Sequence, residues 1–179
     1  SGIGIGQGFD SYEDHNESIS DLKEEEFAHG RLAEETSKLA CQWLDKNSKD
    51  KFFLLVHYFD AHLSYAPPEP FASEYKDNLY AGEIAYMAKN LGTLFDRLKA
   101  KGRYDKTLII VVGDHGEMLG EHGEIEHSYY IYESSMKVPM IIKPAGTVKA
   151  ARVKENVGLI DIAPTVCSLL GIKSKEEFN

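Results

Sequence analysis

Two short, almost unbroken apolar runs end in the same kind of polar pair. Residues 51–59 read KFFLLVHYF and pass into Asp60, Ala61 and His62; residues 107–113 read TLIIVVG and pass into Asp114 and His115. Runs of this length, rich in aromatic and β-branched residues, suit strands buried on both faces, as in a parallel sheet. VPMIIK, at 138–143, is a third such run. Helical spacing separates them. Leu32, Thr36, Leu39, Ala40, Trp43 and Leu44 recur at three- and four-residue steps within 28–47. Ile84, Met87, Leu91, Leu94, Phe95 and Leu98 do so within 79–100, with Gly102 as the C-terminal cap. A last helix is predicted over 162–170, with Asp161 or a neighbour as cap, Pro164 in its first turn and Gly171 at its close. The order helix, strand, helix, strand, loop, strand, helix gives an α/β fold with a mostly parallel sheet flanked by helices. Ligands in such sheets gather beyond the carboxyl ends of the strands, which is where the two acid-and-histidine clusters fall.

Composition narrows the function classes. The 179 residues carry 20 basic and 29 acidic side chains, a formal net charge of −9. That balance argues against a nucleic-acid-binding surface, which needs clustered Lys and Arg to neutralise phosphates. No apolar run approaches the ~18–20 residues of a membrane span. Cys41 and Cys167 are too few for a disulfide framework or a cysteine-rich zinc site, and both read as buried free thiols. Gly4, Gly6 and Gly8 lack the spacing of a dinucleotide fingerprint. Between Asp10 and Glu26 eight acids face one base, Lys23, which reads as a solvated loop. We therefore expect residues 1–27 to be an acidic connecting segment and 28–179 to carry the α/β domain. No signal-like stretch opens the chain, and its compartment stays open.

The second cluster is the denser one. From Asp114 to His127 there are three histidines (His115, His122, His127) and five acids, with glycines at 113, 116, 120 and 123. A carboxylate followed at once by an imidazole at a strand end suits a hard or borderline divalent cation. Such a cation would polarise a phosphoryl or sulfuryl oxygen, and the remaining histidines would contact the anion or protonate a leaving group. In the first cluster, Asp60 and His62 stand at the strand exit ahead of a loop stiffened by Pro67, Pro68 and Pro70. His57, inside the apolar run, reads as a core histidine. His15 and His29 belong to no constellation.

These residues resemble the sulfatase family of the alkaline phosphatase superfamily, in the C-terminal part of its catalytic domain. The resemblance runs through GFDSY (8–12), Arg31 with Glu34, FFLLVHYFDAHLSYAPPEPF (52–71), YAGEIAY (80–86) and GDHGEMLGEHG (113–123). It continues through His127, YESSMKVPMII (132–142) and LIDIAPTVCSLLGI (159–172). It implies hydrolysis of sulfate monoesters, on a small molecule or a glycan, in the intact parent. Asp114 and His115 resemble two ligands of one divalent cation, calcium first, with manganese, magnesium or zinc as alternatives. His62 resembles the histidine that contacts the sulfate. His127 stands where many members place an anion-binding lysine, and a histidine there can change its charge near neutrality where a lysine does not. Asp60 and His122 are given supporting roles. A phosphoester or phosphonate hydrolase, a phosphoethanolamine-type transferase, or a non-catalytic anion-binding domain are the alternatives.

The departures are specific. The family's nucleophile is a formylglycine made in a Cys/Ser-x-Pro-x-Arg segment, and its paired aspartates supply further metal ligands; neither pattern occurs in these 179 residues. Ser64 replaces a proline usual after the histidine, and Ala88 replaces an aspartate common in the second helix. We expect the chain to be a fragment of a larger enzyme, inactive by itself. We also expect it to self-associate through an incompletely covered sheet. The site reading requires Asp114, His115, His62 and His127 to face one cavity.

Overall fold

The computed structural model describes residues 4, 6–14, 30–127 and 130–173, apart from the side chain of Glu126. They divide into two compact units, Ser1–Lys101 and Gly102–Asn179, each described here by itself. Residues 15–29 of the acidic stretch, with the expected boundary at 27/28 and both His15 and His29, lie outside the described residues.

In the first unit, helix α1 (Ala33–Asn47) packs against a longer helix reached through a short helical turn, α2 (Phe71–Glu74). The longer one, α3, spans Leu79–Ala100. Its first turn is capped by Asn78, whose Oδ1 accepts the Ala81 amide at 3.0 Å. It stops at Lys101, followed by Gly102 at φ 62, the expected cap. α1 buries Ala33, Thr36, Ser37, Ala40, Cys41 and Leu44, and Leu44 is fully enclosed. Leu32, expected on that face, is half exposed just before the helix. α3 buries Gly82, Glu83, Tyr86, Asn90, Leu94 and Leu98. That stripe is rotated from the expected one: Ile84 is exposed, and two polar residues take buried places. They can do so because Asn90 Nδ2 donates to the Tyr86 carbonyl at 3.0 Å, and Glu83 finds a backbone donor described below.

Residues 51–59 depart from expectation. They pair with no other strand among the described residues, and their burial alternates. Phe52 lies edge-on to Trp43 at 5.7 Å, and the Tyr58 and Ser37 hydroxyls share a 2.8 Å hydrogen bond. Phe53 and Leu55, on the opposite side, are 68% and 66% exposed. One face is covered by α1 and the other is not, which is the period-two pattern of extended chain. His57 falls on the uncovered side and is exposed, so the core-histidine reading is corrected.

In the second unit, strand β1 (Ile109–Val112) is followed by a small hairpin, β2 (Met118–Leu119) and β3 (Ile125–Glu126). A helical turn, α4 (Glu133–Met136), strand β4 (Met140–Lys143) and helix α5 (Ile162–Leu170) complete it. β1 pairs with β4, with Ile110 opposite Ile142 and Val112 opposite Met140. Both ladders are antiparallel, where the apolar runs suggested parallel ones. An apolar run reports burial and not direction. Here β1 returns to β4 without a crossover helix packed between them, the connection that parallel pairing needs. Nor is either strand buried on both faces: Ile141 is 63% and Val112 37% exposed. The α/β class itself holds. α5 closes as expected, with Gly171 at φ 66 and the Ile172 amide on the Cys167 carbonyl at 2.8 Å. Asp161 caps differently, accepting the Gly158 amide at 2.8 Å rather than an amide of α5. Both cysteines are free, Cys41 buried and Cys167 partly so. No helix among the described residues is long and apolar enough to cross a membrane.

Leu44→Ala should destabilise the first unit by about 2–5 kcal/mol through the cavity it leaves. Phe53→Ala should change stability by less than about 0.5 kcal/mol. Urea unfolding followed by circular dichroism checks both, and equal losses would contradict the described core.

Candidate functional site

The second unit gathers Asp114, His115, Glu117 and His127. β1 ends at Val112, and the Gly113 amide continues its ladder onto the Pro139 carbonyl at 3.2 Å. The chain then turns at Gly116, whose amide donates to the Ser135 carbonyl at 2.7 Å. A Cβ at Gly116 would collide with the Ser134 carbonyl, so this close approach of two backbones requires glycine. The turn leaves Asp114 and His115 outward, with side chains 78% and 41% exposed.

Hydrogen bonds fix the histidine roles. His115 Nδ1 is 2.8 Å from the Gly116 carbonyl. A carbonyl only accepts, so Nδ1 carries the proton and the lone pair of neutral His115 lies on Nε2. That Nε2 stands 3.6 Å from Asp114 Oδ2, while Asp114 Oδ1 accepts the His115 amide at 3.0 Å. An imidazole nitrogen and a carboxylate oxygen at this separation can share one divalent cation, with the Gly116 carbonyl holding the ring from behind. The donor set therefore fits a cation, as two of its ligands. Among the described residues no group of three or more acidic, histidine or cysteine side chains converges for one.

His127, directly after β3, stacks on His115 with ring centres 3.8 Å apart at 30°. Its Nδ1 faces Glu117 Oε1 at 3.4 Å, and the Glu117 side chain is only 7% exposed. The buried carboxylate orients the ring. His122 does not join this group. It sits at φ 59 in the turn between β2 and β3 and stacks on Tyr132 at 4.0 Å, which supports the hairpin.

The first unit holds the other pair. His62 stacks on Phe59 at 4.5 Å, and its Nδ1 lies 2.7 Å from the Leu63 carbonyl, so here too Nδ1 carries the proton. Asp60 is half buried; burial pushes its carboxyl up, against the pull of its own backbone amide and that of Ala33. From α3, Glu83 accepts the Ala66 amide at 2.7 Å. Burial, first of all, raises the Glu83 carboxyl; the Ala66 amide lowers it, and the Asp60 charge raises it further. The cavity reading joined His62 to Asp114, His115 and His127. His62 lies in the first unit and the other three in the second.

Sequence reasoning assigned no role to Glu83 or Glu117. Glu117 was countable in the cluster, but its burial was not. Glu83 had a readable signal: it lies at three- and four-residue steps from Tyr86, Asn90 and Leu94, an acid on the packed stripe of an amphipathic helix.

A strand of an α/β unit here delivers a carboxylate and an imidazole together at its end, with one further histidine beside them, in a fold of the alkaline-phosphatase-like kind. The chain belongs to the sulfatase family, whose profile matches residues 3–172. Among its relatives, Lipoteichoic acid synthase 2 of Bacillus subtilis (strain 168) is 29% identical over 137 residues, which are 70% of this chain and 21% of that protein. Choline-sulfatase of Rhizobium meliloti (strain 1021) is 34% identical over 97 residues, 54% of this chain and 19% of that one. The solved structure of yidJ from Bacteroides fragilis, described as a candidate sulfatase, matches at a TM-score of 0.72 and 23% identity, over 78% of this chain and 37% of that one. The chain thus spans about a fifth of the length of the curated relatives. The relatives that are named as sulfatases are hydrolases.

Because the Glu83 carboxyl is raised in the folded protein, its stabilising contribution is complete below the ordinary glutamate value, about pH 4.3. It is lost as pH rises through the raised folded value. Subtracting the unfolding free energy of Glu83→Gln from that of the wild type should therefore give a difference that falls from pH 4 to pH 8. Urea titrations at both pH values check this, and a difference that rises would contradict the burial.

Proposed function

We propose that this chain carries the cation- and anion-holding side chains of a sulfate monoester hydrolase. The observation that carries the reading is the Asp114–His115–Glu117–His127 group in a chain of the sulfatase family. Asp114 Oδ2 and His115 Nε2 would hold one divalent cation, calcium by preference. Bound there, the cation supplies Lewis-acid polarisation of the ester's sulfuryl oxygens. His127, oriented by Glu117, contacts an anionic oxygen through Nε2 when protonated. His62, with Nδ1 committed to the Leu63 carbonyl, does the same. Asp60 and His122 shape the surroundings, His122 through the hairpin. Residues 28–179 are then the catalytic-domain part of the chain and residues 1–27 an acidic connection. The net charge of −9 speaks against a nucleic-acid partner.

A formylglycine nucleophile fits none of these residues. Cys41 is buried in α1 and is followed by Gln42 and Trp43; Cys167 lies in α5 and is followed by Ser168 and Leu169. Neither stands in a Cys-x-Pro-x-Arg context, so no step is derived through that group. Two protein donors also fall short of the ~6–8 oxygen ligands calcium takes. The 179-residue chain should therefore bind calcium or manganese at roughly millimolar strength or weaker, and should not turn over an aryl sulfate. Isothermal titration and a chromogenic aryl-sulfate assay test this; micromolar binding or clear turnover would overturn it.

A second reading is favoured by one relative. One relative matched over 70% of this chain is named as a lipoteichoic acid synthase, not a sulfatase. A phosphoester hydrolase or a phosphoethanolamine-type transferase would use the same cation and histidines. Competition between inorganic sulfate and phosphate, read on the His127 ring signals by NMR, separates the two. Tighter sulfate supports the sulfatase reading, and phosphate tighter by about tenfold (about 1.4 kcal/mol) supports the other.

We also propose that the chain self-associates. Phe53, Leu55 and Ile141 are each more than 60% exposed, and Ile160 is 71% exposed. Light scattering that shows a monomer at high concentration would count against it.

A further inference from the structure

We propose that Glu83 is the positioning residue of the His62 loop: its carboxylate, presented by helix α3, holds the Ala66 amide at one end of residues 62–66 and faces the His62 backbone at the other, and so fixes the place of the His62 ring. The inference rests on the reading of His62 as an anion contact and adds the residue that sets its place.

The geometry supplies the argument. Glu83 is 8% exposed in the middle of α3. Its Oε1 accepts the Ala66 amide at 2.7 Å, and the His62 backbone faces the same carboxylate. One side chain therefore brackets the segment, hydrogen-bonded at its far end and facing its near one. Inside the bracket, His62 Nδ1 donates to the Leu63 carbonyl, so the ring direction follows that backbone. Pro67, directly after Ala66, is itself buried and stiffens the exit. The helix end of the bracket is firm. One turn on, the Tyr86 hydroxyl accepts the Glu34 amide at 3.4 Å and the Tyr86 carbonyl accepts Asn90 Nδ2.

A residue serving packing alone would not be an acid here. A buried carboxylate is costly unless hydrogen-bonded, and Glu83 Oε2 is buried without a hydrogen-bond partner among the described residues. The charge is useful as a strong acceptor for the Ala66 amide, with the His62 backbone turned toward it. Asp60 and the His62 ring are the charged and titratable groups that act on it, Asp60 against its ionisation and His62 for it.

The test is NMR on the full chain. In the wild type, the Ala66 and His62 amide protons should shift together with one ionisation, that of Glu83, and Glu83→Gln should abolish that shift. Glu83→Gln keeps an acceptor for Ala66, so the His62 ring signals should stay near their wild-type positions. Glu83→Ala should move those ring signals and cut the exchange protection of the Ala66 amide by about tenfold or more. An Ala66 amide that does not follow Glu83, or a His62 ring left in place by Glu83→Ala, overturns the proposal. Should Glu83→Ala lose its helical circular dichroism, Glu83→Gln decides, and a displaced ring there overturns it. Inorganic sulfate, titrated separately into the wild type, tests the anion reading. A His62 ring that ignores sulfate removes that reading, while the amide and ring signals still decide the placement by Glu83.

Discussion

The candidate cation site depends on how closely two stretches of backbone can pass. Gly116 lies against Ser134 and Ser135 with no room for a side chain, and its amide is bound to the Ser135 carbonyl. Its own carbonyl takes the Nδ1 proton of His115. One residue without a Cβ therefore joins the turn after β1 to helix α4 and also sets which nitrogen of His115 has a lone pair to give. The ring could not present Nε2 beside Asp114 Oδ2 in this way from a wider turn. The backbone contact comes first, the histidine tautomer follows from it, and the donor pair follows from the tautomer.

Electrostatics divides the acids by burial. Asp114 is exposed, and it stands beside His115, whose ring stacks on the His127 ring that the proposed chemistry asks to hold an anion. Alone it opposes an incoming sulfate; neutralised by a cation it does not. Glu117 and Glu83 are enclosed and already engaged, one with an imidazole and the other with a backbone amide. Their charges are committed to placement and contribute little repulsion at the surface. A chain of net charge −9 can thus keep a local anion site, because the long-range field is screened within about 10 Å at ordinary salt while the hydrogen-bonding groups act at contact.

How much of this was legible in the sequence differs by level. Local signals read well: α3 and the glycine caps at Gly102 and Gly171 fall where spacing and turn chemistry put them. The strand cores at 109–112 and 140–143 lie inside the predicted apolar runs. Strand direction did not read, because an apolar run carries no sign for parallel or antiparallel pairing. Nor did the second face of 51–59, because burial there depends on what else packs against it. The buried stripe of α3 was misplaced by the assumption that polar residues face water. Glu83 and Asn90 violate it because backbone groups satisfy them inside. In the site, Asp114 and His115 were legible as an adjacent pair, and His127 as a third member. His122 was not, since only the left-handed turn shows that its ring goes to Tyr132.

The relatives make chemical sense of that division. A single stretch of chain matches proteins named as sulfatases and one named as a lipoteichoic acid synthase. Nothing in Asp114, His115, Glu117 or His127 distinguishes a sulfuryl from a phosphoryl group. Both are tetrahedral oxyanions, and a cation with protonated imidazoles meets their oxygens in the same way. What separates the two chemistries is the atom that attacks, and these 179 residues contain no Cys/Ser-x-Pro-x-Arg segment to supply the formylglycine. On the proposed reading the cluster is a holding site for a charged oxyanion group, and the choice of group would lie with the nucleophile it is combined with.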